Sequence, residues 1–291
     1  MSISPFFSNR QAILATMHRK QDAIAPLFQQ ELGVTVTTPS DLNVEFDTDA
    51  FGTFTRDVDR AGNQLEAARR KATSILDATG ADLAIASEGS FSPHPAMPLL
   101  MCDRELVVLI DRKHQLEVVG EVLSTETNHA HKTIHSLEDA VAFAAQVGFP
   151  DHGLVVMATA NPKPGDRLFK GITDETALKE AVNDILTHSP SGTAHLETDM
   201  RAMHNPTRMH VIAQATQDLI RKLKSACPSC HYPGFAAVKH LPGLPCELCQ
   251  FPTLLIRSAI YQCQHCQHRQ EQLFPNGLQV APPEHCSYCN P

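Results

Sequence analysis

Short apolar runs alternate with stretches of helical periodicity over the first 225 residues, and the alternation then stops. Residues 11–16 (QAILAT) read as a first strand, and the polar turn Met17-His18-Arg19-Lys20 leads into a helix over 21–32. VTVTT at 34–38 reads as a second strand, since β-branched residues fit a pleated surface. A Thr- and Phe-rich turn at 47–55 precedes an amphipathic helix over 56–79 that carries Arg60, Arg69, Arg70 and Lys71 and ends at Gly80. Residues 81–87 (ADLAIAS) form a buried strand that delivers Glu88 and Gly89 at its end, with Pro93, His94 and Pro95 as a stiff loop. Residues 101–111 and 115–123 read as a hairpin, and 127–135, with His129, His131 and His135, as a polar loop.

Farther along, Ser136 caps a helix reaching about Val147, residues 153–159 (GLVVMAT) make a core strand, and NPKPG at 161–165 is a turn. A helix over 173–188 has Thr173 as its cap. A strand ending at Glu197 gives way to a polar turn with Asp199 and Arg201. Asn205 and Pro206 supply the cap and first position of a last helix that runs to about Lys224. This order of elements predicts an α/β domain over 1–225, a mixed sheet with flanking helices.

The remainder, 226–291, lacks the apolar residues for a large core and is organised by four Cys-x-x-Cys pairs: Cys227/Cys230, Cys246/Cys249, Cys263/Cys266 and Cys286/Cys289. A two-residue spacer lets both sulfurs converge on one ion, and two pairs complete a tetrahedral shell, so eight cysteines predict two structural Zn²⁺ in a small ribbon-like domain. Two pairings fit the loop lengths. In one, the middle pairs share an ion and the outer pairs share the other; in the second, pairing is sequential, first with second and third with fourth. His231, His240, His265, His268 and His285 read as surface residues beside so many thiolates.

Composition narrows the picture. The formal charge is −8, and the tail contributes none of it, since Lys239, Arg257 and Arg269 balance Glu247, Glu271 and Glu284. A nucleic-acid-binding ribbon usually carries a basic stripe, and this one does not. That favours a structural or protein-contacting tail, with a nucleic-acid partner as the alternative. No apolar run is long enough to span a bilayer and the N-terminus lacks a secretory pattern, so a cytoplasmic protein without membrane contact is expected.

In the front domain, candidate chemistry gathers at the ends of strands. His18 and Lys20 sit in a strand–helix turn, the edge at which open α/β sheets bind ligands and where a helix start favours anions. Glu88 before Gly89 reads as a carboxylate beside a point where a ligand can approach, and lone Cys102 as a small buried residue. Arg208, in the first turn of a helix, opposes the helix dipole and calls for a negative partner, Glu197, Asp199 or a bound anion. Glu88, with Asp103 or Asp199, is therefore the candidate holder of Mg²⁺ or Mn²⁺, with Glu88 and Asp199 as candidate catalytic acids. Lys20, Lys71, Arg201 and Arg208 are candidate phosphate ligands.

Two resemblances bear on these residues. ATMHRKQ, TDAFGTFTRDVDR, ASEGSFSPHP, ETDMRAMHNPTRM and the cysteine tail together resemble an uncharacterised bacterial family, a domain of unknown function, over nearly the whole chain. The order of elements is also similar to the inosine/xanthosine triphosphate pyrophosphatases. Thr16, His18 and Lys20 occupy the place of their first turn, and Ala68–Ala72 matches their Ala-x-x-basic-Ala helix. Glu88-Gly89 resembles their metal-binding acid before glycine, and Arg208 lies where their last helix begins near a nucleotide-contacting arginine. In this chain His18 replaces the family's Asn, Lys20 comes one residue early, and a single Glu stands for an acidic pair. The resemblance implies a nucleotide-binding, Mg²⁺-dependent hydrolase. The alternative is a non-enzymatic zinc-ribbon protein that binds protein or nucleic acid.

Overall fold

The computed structural model describes residues 4–48, 62–163 and 165–290, and the chain divides into two compact units: residues 7–220, and residues 1–6 with 221–291. A single helical turn, α1 (Ser4–Phe7), opens the described chain. The larger unit is built on two sheets. The first contains β1 (Gln11–Leu14), β2 (Thr35–Thr37), β3 (Leu83–His94), β4 (Met97–Asp111) and β5 (Leu116–Ser124), in the order β2-β1-β3-β4-β5. β1 runs parallel to β2 and β3, whereas β3, β4 and β5 form an antiparallel meander, so the sheet is mixed. Helices α2 (Gln21–Leu32) and α3 (Gln64–Thr79) supply the crossovers.

The second sheet is antiparallel, in the order β6 (His131–Ile134), β9 (Ala194–Thr198), β7 (Leu154–Met157), β8 (Leu168–Ile172). Helices α4 (Leu137–Gln146) and α5 (Glu175–His188) belong to this part of the chain, and α6 (Pro206–Lys224) follows it. The smaller unit has a three-stranded antiparallel meander, β10 (Ala236–Pro242), β11 (Ile256–Gln262) and β12 (Arg269–Leu273). Among the described residues, no helix is long and apolar enough to cross a membrane.

Two apolar cores follow from the helical faces. Ala68, Ala72, Ile75 and Leu76 of α3 pack on Ala84, Ala86, Leu106 and Val108 of β3 and β4. In the second, Phe143 and Ala144 of α4 and Val182 and Ile185 of α5 cover Leu154, Val156 and Leu196.

Several boundaries differ from the pattern. The described part of α3 begins at Gln64, where Asn63 accepts from Glu66 N–H and the Glu66 side chain returns the bond, a capping box that fixes the start. The expected helical residues 56–61, with Arg60, lie outside the described residues, as does most of the 47–55 turn. β3 runs on through Glu88 and Gly89 to His94, so this pair sits in mid-strand. Among the described residues β1 pairs with β3 at Ala84 and Ile85 and no strand flanks the distal half of β3 on that side, an edge position that tolerates Pro93 in place of the expected loop. The histidine-rich stretch contains β6, recruited by the neighbouring β9. Asp174, not Thr173, accepts the N-terminal bond of α5, from Ala177. β8, with Lys170 and Gly171 interrupting a short apolar run, had no clear pattern.

Gly120 of β5 is the tightest contact between strand and helix. A β-carbon there would collide with the backbone of α6, at Ala215 O and Leu219 N. Gly120→Ala is therefore expected to destabilise the larger unit by about 2–3 kcal/mol, because backbone cannot rotate away as a side-chain tip can. Urea denaturation at neutral pH reads this directly, and a loss within error of zero would show that α6 shifts freely.

Candidate functional site

The pairing of β3 with β4 decides which charged side chains can meet. Gly89 lies opposite Glu105 and Phe91 opposite Asp103, while Glu88 lies opposite Leu106. Cross-strand partners share a face and neighbours along a strand alternate. Ser87, Gly89, Phe91, Asp103 and Glu105 therefore occupy one face of the hairpin. Glu88 occupies the other, the face against α3.

On the α3 face Glu88 forms a buried ion pair with Lys71. Gln64 closes that end of the hairpin, donating through Nε2 to the carbonyls of Glu88 and Arg104, both at 2.7 Å.

On the opposite face Arg208 enters from the first turn of α6. Asn205 caps this helix by accepting from Arg208 N–H at 2.9 Å. The guanidinium donates to Glu105 Oε1 at 2.6 Å and to the Met200 carbonyl, and lies 5.7 Å from the centre of the Phe91 ring. Arg208 is 1% exposed and Glu105 0%. A β-carbon at Gly89 would overlap Glu105 Oε1 and lie 2.6 Å from the Arg208 guanidinium. The glycine thus makes room for an internal ion pair.

Asp103 lies beside Glu105, and its carboxyl is pushed up to about 8, by burial first and then by the Glu105 charge. Both Asp103 oxygens and Glu105 Oε2 are buried without a hydrogen-bond donor among the described residues. The proton that Asp103 keeps supplies one donor toward Glu105, as two adjacent carboxylates cannot both ionise cheaply. Lys20, buried at the start of α2, donates to Ser87 O at 3.1 Å and Ser87 Oγ at 3.0 Å. Burial, and then Arg208, lower its ammonium to about 8.

Asp199 serves a different knot. It accepts from Gly171 N–H at 3.0 Å, Arg201 N–H at 3.0 Å and the Arg201 guanidinium at 2.6 Å. Its own N–H donates to Gly153 O, whose N–H in turn donates to His204 O. His204 is held below its ordinary value by burial, with Arg201 and His18 adding to the effect against Asp199. His18 therefore lies near this half-buried group.

The expected residues thus fall into three groups: Glu88 with Lys71, Lys20 and Arg208 with Asp103 and Glu105, and His18 with Asp199 and Arg201. The partner of Arg208 is Glu105, not Glu197 or Asp199. The Asp103–Glu105 pair was readable as two acids two residues apart in a strand that is apolar beyond them.

In the smaller unit the cysteines form two tetrads, Cys227/Cys230/Cys263/Cys266 and Cys246/Cys249/Cys286/Cys289, whose sulfurs in each lie within 4.8 Å of one another. This is an interleaved pairing, first with third and second with fourth, and it differs from both arrangements expected from loop length. Sulfur pairs across the knuckles lie 3.7 and 3.6 Å apart in the first tetrad and 3.9 and 3.6 Å in the second. A tetrahedron with metal–sulfur bonds of about 2.3 Å has edges of about 3.8 Å, so the tetrads fit a four-thiolate ion such as zinc.

Three knuckles repeat one backbone device. The residue after the second cysteine, His231, Gln250 or Gln267, takes positive φ, and its N–H returns to the carbonyl of the first cysteine. Backbone N–H groups of His268 and Cys289 lower Cys266 and Cys286 to about 7, which prepares one thiolate in each tetrad. Among the described residues no other set of three or more His, Cys, Asp or Glu comes as close together.

Residues 71–291 match the family model of a domain of unknown function, DUF6671, and the chain belongs to that family. No curated protein matches it in sequence.

Two predictions follow from this geometry. Interleaving places each tetrad's loops across the other's, so Cys230→Ser is expected to lower bound metal from two equivalents to below one and to broaden the thermal transition of the tail; metal analysis after gel filtration checks this. The second concerns pH. Asp103 holds its proton from its ordinary value of 3.8 up to about 8 when folded, so its contribution to stability declines as pH rises through that window and is flat above it. Asp103→Asn removes the decline, and its stability relative to wild type should improve steadily from pH 5 to pH 8. A constant difference in urea denaturation across that range would contradict a proton kept by Asp103.

Proposed function

We propose that the chain is a two-zinc cytoplasmic protein whose larger unit binds a phosphorylated small molecule, a nucleotide, and hydrolyses its phosphoanhydride bond. The observation that carries this reading is the burial of three cations around the middle of β3 and β4, Lys20 and Arg208 on one face and Lys71 on the other. With Glu88 and Glu105 ionised and Asp103 protonated, the centre holds one net positive charge. Burying so many charges is costly, and such arrangements concentrate at functional sites. An arriving phosphate competes with Glu105 for Arg208 and takes the free capacity of Lys20. Glu88 orients Lys71 from the far face. His18 and Arg201, less buried than these, offer donors for further phosphates. Asp199, with its oxygens engaged by Arg201 and Gly171, acts by positioning Arg201. The order of strand, basic turn, helix and final helix-start arginine supports the same reading through its similarity to the triphosphate pyrophosphatases.

A second reading has an observation of its own. Leu248, Phe251, Leu254 and Tyr288 around the second tetrad are exposed, Leu254 at 90%, and Phe251 stacks on Tyr288 at 6.3 Å. That surface suits a non-enzymatic module that contacts protein.

Release of phosphate or pyrophosphate from standard and deaminated nucleoside triphosphates, with Mg²⁺ or Mn²⁺ and zinc-loaded protein, separates the two. Lys20→Met and Arg208→Lys should each lower kcat/KM on the order of 10²-fold, the scale for removing one charge-stabilising donor, and Glu88→Gln should lower it less. Absence of turnover by the wild type, with no thermal shift from any nucleotide, would remove the hydrolase and leave the contact module.

A further inference from the structure

We propose that Asp103 and Glu105 form a site for a hard divalent cation, Mg²⁺ or Mn²⁺, on the α6 face of the first sheet, filled together with the phosphate of the ligand proposed above. The two acids share one face of β4, about 7 Å apart along the strand, and both are buried. Three of their four oxygens are buried without a donor among the described residues. The other acids of the region are committed: Glu88 to Lys71 on the far face, and Asp199 to Arg201 and Gly171. A cation placed by Glu88 together with Asp103 would have to reach through the sheet.

An all-oxygen donor set without histidine or cysteine selects Mg²⁺ or Mn²⁺ over zinc. Two carboxylates completed by phosphate oxygens and water are the usual holder of Mg²⁺, which rarely occupies a closed protein cage. Charge requires the same partnership. The six buried groups sum to zero when all are ionised, so a bare dication would be uncompensated, whereas a dication carried by phosphate is not.

This inference rests on the phosphate-binding reading, but its test needs no turnover. Zinc-loaded full-length protein is titrated with MnCl₂, with and without inorganic pyrophosphate, and free Mn²⁺ is followed by electron paramagnetic resonance. The wild type should take up one equivalent, at least tenfold more tightly with pyrophosphate present. Asp103→Asn, a neutral isostere in place of a protonated acid, should keep the fold by circular dichroism and bind at least tenfold more weakly. Equal uptake by Asp103→Asn, or no uptake by the wild type in either condition, overturns the site. Mn²⁺ uptake lost in Asp103→Asn but without nucleotide hydrolysis would sink the hydrolase alone. Hydrolysis that persists undiminished in Asp103→Asn would sink the cation site alone.

Discussion

Arg208 reaches Glu105 through the space that Gly89 leaves empty, and the charged interior of the larger unit depends on that contact. Removing one member of such a buried pair costs about 3–5 kcal/mol, because the other is stranded away from water. The geometry closes around it from several directions. Asn205 fixes the helix start that aims Arg208, the Met200 carbonyl takes a second guanidinium donor, and the guanidinium lies over the Phe91 ring. A positive charge in the first turn of a helix opposes the dipole. The fold accepts that cost where a carboxylate two strands deep into the sheet answers it.

The smaller unit obeys a different constraint. Its strands β10, β11 and β12 have mostly exposed or half-exposed residues, so apolar burial contributes little. The buried members of its framework include four of the cysteines themselves, Cys227, Cys246, Cys263 and Cys286. With thiolates in the position that leucines hold elsewhere, metal binding and folding become one equilibrium. The interleaved pairing strengthens the coupling. Neither tetrad closes on a self-contained loop, so closing either one restricts the chain of the other.

How much of this was legible in the sequence depended on the range of the interaction. Local signals read well: the Cys-x-x-Cys spacings, Asn205-Pro206 at the start of α6, and Ser136 at the start of α4, whose hydroxyl accepts from Asp139. Signals that need a partner distant in sequence did not. Pro93 reads as a loop until the edge position of β3 is known. β6 is too polar to be a strand without β9 beside it. The cysteine pairing turned on the path of β10 to β12, which loop lengths do not encode. The glycine after Glu88 was legible as a close approach, but what approaches is a side chain from residue 105 paired with one from residue 208.

The partition of acids by the sheet has a consequence for any chemistry at this centre. Glu88 and Asp103 are both buried carboxylates on adjoining strands, and from sequence either could hold a cation with the other. The pleat separates them: one faces α3 and is paired with Lys71, whereas the other faces α6 beside a second acid. Two carboxylates in contact need either a proton or a metal ion between them, and the energetic difference between these occupants is set by what negative charge arrives with the metal. In the binding proposed above, a phosphate would provide that charge and, by drawing on Arg208, would loosen Glu105 from its resting partner. In the proposed arrangement the internal partners offset all but one of the buried charges at rest, and a charged ligand would replace some of them.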